Sequence, residues 1–287
     1  MSASRCGLPA NVAVPAFPHR TAFVTGASAG LGRAFVRMLR AEGVRVWGTA
    51  RAADRLSEFA ADVDFVAVEL DLADAEQAAA VFSRANTEAG GFDIVINNAG
   101  YGVFGRFDAS DFRVWQAQVD AMLTTTARIS HLALRSMRER GQGVLVHVAS
   151  LATEFPLPYM AGYNMAKAGL SALSESLMVE TAGSGVTVLD FRPGDHRTGF
   201  NHTMQPPSID PVREPRLAKA WQTLEANLQG GPDPERAADD LRSALIRGRS
   251  GVVRSGTLFQ AWLAPLLARF APLGLKRAVM ARYYGVT

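Results

Sequence analysis

The stretch of residues 20–41 restricts the fold of this chain more than any other part of the sequence. A short apolar run at residues 20–25 leads into a glycine-rich turn at residues 26–32, and a helical pattern follows. A strand, a glycine-rich turn and a helix in this order are typical of a site for a dinucleotide pyrophosphate, because glycines permit a tight turn and the helix N-terminus attracts an anion. The glycines concerned are Gly26, Gly30 and Gly32. A tight turn without a ligand is the alternative interpretation.

Short apolar runs rich in β-branched residues recur after this unit and alternate with helical patterns. They lie at residues 44–50, 65–70, 92–96, 144–149, 186–191 and 251–254. This order predicts an α/β fold, built on a single Rossmann-like doubly wound parallel β-sheet with helices on both faces. We expect residues 20–254 to form this domain, with a substrate lid at residues 199–231. Residues 1–19 are predicted to be a flexible tail and residues 255–287 to be a C-terminal helical tail.

The end of the second apolar run carries an arginine where a dinucleotide enzyme recognises the adenosine ribose. An acidic residue at this place would bind a ribose 2′-hydroxyl, whereas this chain has Ala50 and Arg51. A guanidinium with no carboxylate beside it suits a 2′-phosphate, and Arg55 is placed to assist. The sequence therefore favours NADP(H) over NAD(H), with a solvated Arg51 as the alternative.

Tyr163 and Lys167 form a pair that suits proton transfer. They are four residues apart, so on a helix they share one face, and Ser150 ends an apolar run just before them. The chain has three lysines against 27 arginines, which suggests that a compact ammonium is needed here. An ammonium about 5 Å from a phenol stabilises the phenolate by about 3 kcal/mol at an effective dielectric constant of about 20. We therefore predict that Lys167 lowers the pKa of Tyr163, with an accidental match as the alternative.

The composition is that of an ordinary globular protein, with 48% hydrophobic and 20% charged residues. A net charge of +3 with scattered arginines indicates no nucleic-acid partner. The single cysteine, Cys6, excludes an internal disulfide and fits a reducing compartment, so we expect a cytoplasmic protein. No apolar run reaches the length of a membrane-spanning helix, and no metal site is predicted. A homodimer or homotetramer is expected.

Taken together, these segments closely resemble the short-chain dehydrogenase/reductase family. The motifs that carry the resemblance are Thr25–Gly32, Asp71, Asn97–Gly100, Ser150, Tyr163 with Lys167, and Pro193-Gly194 with Thr198. Their order and spacing agree with the family, including the thirteen residues from Ser150 to Tyr163. The resemblance covers about residues 20–254 and implies a Rossmann-type, NAD(P)-dependent oxidoreductase.

The resemblance also implies a role for each matching residue. Tyr163 is then the general acid/base, Lys167 lowers its pKa and hydrogen-bonds the nicotinamide ribose, and Ser150 polarises the substrate oxygen. The residues that would contact the dinucleotide are Gly26, Ser28, Gly30, Leu31, Gly32, Arg51, Asp71, Leu72, Asn98, Ala99, Gly100, Tyr163, Lys167, Pro193, Gly194 and Thr198. Members that prefer NADP often have a basic residue where this chain has Ala29.

The implied function is the interconversion of a carbonyl and a secondary alcohol on a small molecule. One position departs from the family: its fourth catalytic residue, an asparagine, is replaced by Met122, which offers no useful hydrogen-bonding group. Thr125 and Thr126 share the helical face of Met122, and we expect a hydroxyl or a freed backbone carbonyl to hold a water molecule there. One alternative is a dinucleotide-binding protein with weakened or lost catalysis. Another is an isomerase or dehydratase of the same family.

Apolar residues near the predicted catalytic group indicate a hydrophobic substrate. The candidates for the substrate pocket are Phe104, Phe155 and Met160, with core packing as the alternative. Glu154, His196 and Arg197 favour instead a polyol or a charged substrate. We expect His196 to be a loop residue rather than a catalytic one.

The C-terminal tail is apolar at residues 258–268 and carries basic residues further on. Basic residues beside aromatic and leucine side chains are found in segments that attach to membrane surfaces. The alternative is a tail that packs over its own substrate pocket or against a neighbouring subunit.

Overall fold

The computed structural model describes residues 17–200, residue 204 and residues 211–286 of the chain. Residues 1–16 of the predicted N-terminal tail, and residues 201–203 and 205–210 of the predicted lid, therefore lie outside the described residues. Phe17 is buried in the hydrophobic core. The sequence analysis placed the start of the domain at Arg20, whereas packed structure begins at least as early as Phe17.

The core of the protein is a seven-stranded sheet in which every described pairing is parallel. The strands are β1 (Thr21–Val24), β2 (Arg45–Ala50), β3 (Phe65–Glu69), β4 (Ile94–Asn97), β5 (Gly143–Val148), β6 (Val186–Pro193) and β7 (Gly251–Ser255). Their spatial order is β3-β2-β1-β4-β5-β6-β7, which confirms the predicted doubly wound sheet. Because the winding reverses between β1 and β4, a crevice opens there at the carboxyl ends of the strands.

Helices cover both faces of the sheet, as predicted. They are α1 (Gly30–Ala41), α2 (Ala75–Glu88), α3 (Phe112–Val119), α4 (Thr126–Arg140), α5 (Ala161–Glu180), α6 (Pro215–Gly230), α7 (Pro234–Arg247), α8 (Ala264–Phe270) and α9 (Leu273–Tyr283). Shorter 3₁₀ segments lie at Ala53–Phe59 and Leu151–Thr153, and π-helical turns lie at Asp120–Thr125 and Phe259–Leu263. Phe35 of α1 and Leu241 of α7 pack against one face of the sheet, while Phe82 of α2 and Ile129 of α4 pack against the other.

A third cluster of buried apolar side chains lies beyond the carboxyl ends of the strands. It joins Tyr163 of α5 to Leu217 and Leu224 of α6, and to Tyr284 just after α9. The C-terminal tail is therefore packed against the domain at this point. Within the described residues, no helix combines the length and the apolar character that crossing a membrane requires.

Candidate active site

The glycine turn between β1 and α1 is packed too closely to accept a larger residue. Gly26 has a left-handed φ of +68°, and a Cβ on Gly32 would lie 2.1 Å from the carbonyl oxygen of Gly26. The Asn98 side chain, at the end of β4, donates from Nδ2 to the carbonyl oxygens of Thr25 at 2.9 Å and Gly26 at 3.2 Å. Asn98 therefore holds the turn in place from the neighbouring strand.

The N-terminus of α1 presents backbone N–H groups that suit an anion. Ala29 is the N-cap residue, no side chain in the described part of the chain caps it, and the first turn holds no acidic residue. The unpaired donors and the helix dipole favour a negatively charged group at this place. These residues fit the pyrophosphate of a nicotinamide dinucleotide.

One cavity of about 1760 Å³ extends from the glycine turn along the carboxyl edge of the sheet. Its wall includes most of the predicted cofactor residues: Gly26, Ser28, Gly30, Leu31, Arg51, Asp71, Leu72, Asn98, Ala99, Gly100, Pro193, Gly194 and Thr198. Gly32 is the exception, because it packs beneath the turn against Gly26. The sequence analysis had placed Gly32 among the contact residues.

Ser150, Tyr163 and Lys167 line the same cavity at its other end. Ser150 follows β5, and its Oγ accepts a hydrogen bond from the backbone N–H of Ala152 at 3.0 Å. Tyr163 and Lys167 lie one turn apart on the buried side of α5. Lys167 Nζ donates to the carbonyl oxygen of Val148 at 2.6 Å and lies 5.8 Å from the centre of the Tyr163 ring. The fold thus brings the three predicted catalytic residues together.

Burial dominates the proton equilibria of this pair. Burial raises the pKa of Tyr163 to about 12; the charge of Asp195 adds to the rise and a hydrogen bond with Ser150 opposes it. Burial also lowers the pKa of Lys167 to about 8, against the attraction of Asp190. In the protein chain alone the pKa of Tyr163 is therefore raised, because desolvation of the phenol is the largest effect. That Lys167 lowers this pKa stays a prediction.

Met122 and the ammonium of Lys167 both lie close to Gly100. A Cβ placed on Gly100 would be 3.1 Å from Met122 Cε and 3.7 Å from Lys167 Nζ. Met122 is buried on a π-helical turn, and Thr125 and Thr126 after it are buried too. The thioether offers no useful hydrogen-bonding group at this place. That a neighbouring hydroxyl or carbonyl holds a water molecule here stays a prediction.

The substrate end of the cavity has mainly apolar walls. Phe155 contributes to the wall together with Leu157, Phe200 and Leu224. Phe104 and Met160 are almost completely buried and pack in the cluster behind the wall. Their suggested role in the substrate pocket is therefore corrected to core packing, the alternative that the sequence analysis left open.

Glu154 is paired within the protein. Its Oε1 accepts from Arg192 Nη1 at 3.0 Å and from Arg254 Nε at 2.8 Å. Arg192 also pairs with the fully buried Asp190 at 2.6 Å. Because the Glu154 carboxylate already binds two guanidinium groups, its presence does not support a polyol or charged substrate.

The other two polar candidates are also paired within the protein. His196 is buried, its ring nitrogens lie 3.2 Å from the Gly194 carbonyl oxygen and 3.2 Å from Ser255 Oγ, and burial lowers its pKa. Arg197 Nη2 pairs with Asp233 Oδ1 at 2.6 Å. These contacts agree with the expectation that His196 is a structural loop residue.

A pair that the sequence analysis missed anchors the start of the C-terminal tail. Gln260 Nε2 donates to Asp195 Oδ2 at 2.6 Å, and burial raises the pKa of Asp195. Gln260 also fills a groove between two glycines, since a Cβ on Gly194 or Gly256 would lie 2.9 Å or 3.1 Å from its Oε1. No spacing in the sequence connects partners 65 residues apart.

At this anchor and beyond it, the tail forms part of the cavity wall. Phe259, Leu267, Val279, Met280 and Tyr284 all line it. The structure therefore places the tail over the cavity of its own chain, as one of the sequence-based alternatives expected.

The fold and the cavity together define a dinucleotide-dependent oxidoreductase, and comparisons with known proteins agree. The family model described as short chain dehydrogenase matches residues 20–208. The chain is 32% identical over 253 residues to 3beta-hydroxysteroid dehydrogenase 1 of Eggerthella lenta, covering 84% of this chain and 91% of that protein. A crystal structure of a short-chain dehydrogenase from Streptomyces avermitilis has a TM-score of 0.77 at 28% identity, covering 94% of this chain and 97% of that one. The chain belongs to the short-chain dehydrogenase/reductase family, whose members use NAD or NADP.

The raised pKa of Tyr163 predicts opposite pH dependences for the two directions of the reaction. Carbonyl reduction needs the protonated phenol, so its kcat/KM should stay nearly constant from about pH 6 to about pH 8. Alcohol oxidation needs the phenolate, whose population grows tenfold per pH unit below the pKa, so its kcat/KM should rise over the same interval. Initial rates in both directions test this, with Tyr159→Phe as a control tyrosine outside the cavity wall. A steep fall of reduction above about pH 7 would show that the phenol ionises near neutrality.

Proposed function

We propose that this protein interconverts a carbonyl and a secondary alcohol on a hydrophobic small molecule, with NADP(H) as the preferred cofactor. The observation that carries the proposal is the placement of Ser150, Tyr163 and Lys167 in one cavity with the glycine turn. The apolar wall beside these three residues supports a hydrophobic substrate. The name of the Eggerthella lenta relative, a hydroxysteroid dehydrogenase, points to the same kind of substrate.

The bound nicotinamide would supply or accept the hydride at the carbonyl carbon. In the reductive direction, the Tyr163 phenol donates its proton to the substrate oxygen, and in the oxidative direction it takes the proton back. The Ser150 hydroxyl hydrogen-bonds to the same oxygen and holds it beside the phenol. The Lys167 ammonium, oriented by the Val148 carbonyl oxygen, stabilises the negative charge that develops on Tyr163 when its proton leaves.

Tyr163→Phe tests the proposed role of the phenol. Removal of a general acid costs about a hundred- to ten-thousandfold in turnover, so carbonyl reduction should fall by that factor. Dinucleotide affinity should change less than about threefold, because the glycine turn remains intact. Initial rates on a panel of cyclic, aromatic and long-chain ketones, with fluorescence titration of the dinucleotide, measure both quantities. Tyr159→Phe is the matched control, and full activity in Tyr163→Phe would remove the mechanism.

The cofactor preference rests on the arginines at the end of β2. Arg51 and Arg55 are exposed and line the cavity, and Ala50 occupies the place where an acidic residue would bind a ribose 2′-hydroxyl. A planar guanidinium binds a phosphate through two parallel hydrogen bonds. This arrangement supports a 2′-phosphate, and thus NADP(H).

Arg51→Ala should therefore discriminate between the two cofactors. The loss of charge-assisted hydrogen bonds to a phosphate weakens binding by about tenfold or more, so the Kd for NADPH should rise by that factor. The Kd for NADH should change less than about threefold, because NADH has no 2′-phosphate. Fluorescence titration with both cofactors measures these Kd values. Arg249→Ala is the control, because Arg249 lies just before β7, at the amino ends of the strands and not at the carboxyl ends where Arg51 lies. Equal losses for NADPH and NADH would argue against the proposed preference.

A protein with weakened catalysis is the second candidate, and Met122 is the observation that favours it. Its thioether lies near Gly100, as the Lys167 ammonium does, and offers no hydrogen bond comparable to that of an amide. Lys167 nevertheless keeps its contact with Val148, and Ser150 and Tyr163 line the cavity with it. These contacts support retained catalysis over the second candidate.

Met122→Asn separates the two candidates. If catalysis is intact, introducing the amide should change kcat by less than about tenfold, an effect that corresponds to about 1.4 kcal/mol in the barrier. Met122→Leu, which keeps the size and apolar character of the side chain, is the matched control and should stay near the parent rate. A rise of about a hundredfold or more in Met122→Asn alone would identify the parent protein as a weakened enzyme.

A further inference from the structure

The start of the C-terminal tail exposes an unusual amount of apolar surface. Seven large apolar side chains, which we call the apolar ridge, are exposed there: Leu258, Phe259, Trp262, Leu263, Leu266, Leu267 and Phe270. Trp262 is 75% exposed and Phe270 is 78% exposed. A contiguous exposed patch of this kind marks a site of interaction with another apolar surface.

The ridge follows the helical repeat. Leu258, Trp262, Leu266 and Phe270 recur every four residues and form one row, with a second row beside it. The residues that this segment buries are small or compact, among them Ala261. An ordinary surface helix buries its bulky apolar residues, and this segment turns them outward.

The charge of the tail restricts what can cover the ridge. Residues 255–287 contain four basic residues, Arg269, Lys276, Arg277 and Arg282, and no aspartate or glutamate. In a symmetric pair of copies, the same surface meets itself, so the basic charges of two tails would be brought together without an acidic partner in either tail. An anionic lipid surface offers the opposite charge together with an apolar interior.

The cavity opens beside this surface. Phe259, Leu267 and Phe270 of the ridge line the cavity, as do Leu275 and Val279 of α9, and all five are more than half exposed. These side chains therefore form the rim where the cavity meets its surroundings. A molecule dissolved in the apolar layer of a membrane would meet the cavity mouth directly.

We propose that the apolar ridge and the basic residues of α9 form a docking surface for an anionic lipid bilayer. The ridge enters the boundary between headgroups and acyl chains, with Trp262 at the interface, while Arg277 and Arg282 meet the anionic headgroups. Docking in this way turns the cavity mouth toward the bilayer. The entry of a lipophilic carbonyl compound from the bilayer is an inference that rests on the proposed function. The docking of the protein on the bilayer does not rest on it.

Co-sedimentation of the full chain with vesicles tests the docking without any substrate. Vesicles of phosphatidylcholine with phosphatidylserine should bind the protein, added salt should weaken this binding, and vesicles of phosphatidylcholine alone should bind it far less. Arg277→Gln with Arg282→Gln should reduce the affinity for anionic vesicles by about thirtyfold, from about fivefold per charge. Arg247→Gln with Arg249→Gln is the matched control, because it removes the same charge beside the amino end of β7.

A second pair of variants tests the ridge. Trp262→Glu with Leu266→Glu should abolish vesicle binding, whereas Val63→Glu, at a site 90% exposed and away from the tail, should not. Dinucleotide titration of every variant verifies the fold. Tyr163→Phe should bind vesicles like the parent protein, so a failure of the proposed reaction is distinguishable from a failure of docking.

Two results would overturn the docking proposal. The first is a parent protein that does not bind anionic vesicles, or ridge and arginine variants that bind them as well as the parent does. The second is a parent protein that is a dimer by light scattering, a variant with Trp262→Glu and Leu266→Glu that is a monomer, and no vesicle binding by either protein. That second result would identify another copy of the chain as the occupant of the ridge.

Discussion

Burial of a phenol and an ammonium in the same wall of one cavity is the constraint on which this site depends. Desolvation favours the neutral form of both groups, which raises the pKa of Tyr163 and lowers that of Lys167. The groups that favour the charged lysine come from the sheet: the Val148 carbonyl oxygen at the end of β5, which accepts its hydrogen bond, and the negative charge of Asp190 in β6. Asp190 is itself held by Arg192. The strands therefore supply the electrostatic support for the charged form of a lysine that lies on a helix.

Local features of the sequence predicted the sheet, the glycine turn and the three candidate catalytic residues that the fold brings into one cavity. Each depends on residues that are close in sequence, such as the four-residue spacing of Tyr163 and Lys167, or on a family motif. What could not be predicted depends on distant partners. The pKa of Tyr163 reflects burial by neighbours from several parts of the chain, and Gln260 finds Asp195 only when the tail folds back. For the same reason, an isolated Glu154 suggested a polar substrate, whereas the fold pairs it with guanidinium groups.

The C-terminal tail connects the two halves of the functional proposal. Its anchor at Gln260 places it beside the Pro-Gly segment that ends β6, and from there it forms a wall of the cavity. The same segment presents bulky apolar residues outward. One short stretch of chain therefore shapes the interior that accepts a ligand and the exterior that surrounds the entrance. Substrate choice and surface attachment are linked through this stretch.

The shared burial of Tyr163 and Lys167 has a consequence for the charge of this part of the cavity. Burial lowers the pKa of Lys167 to about 8 and raises that of Tyr163 to about 12. Between these values both side chains are uncharged. At a pH between these two values, the pair therefore carries no charge while Tyr163 keeps its proton. The preference of this part of the cavity for anionic over neutral ligands should therefore weaken as the pH rises into this range.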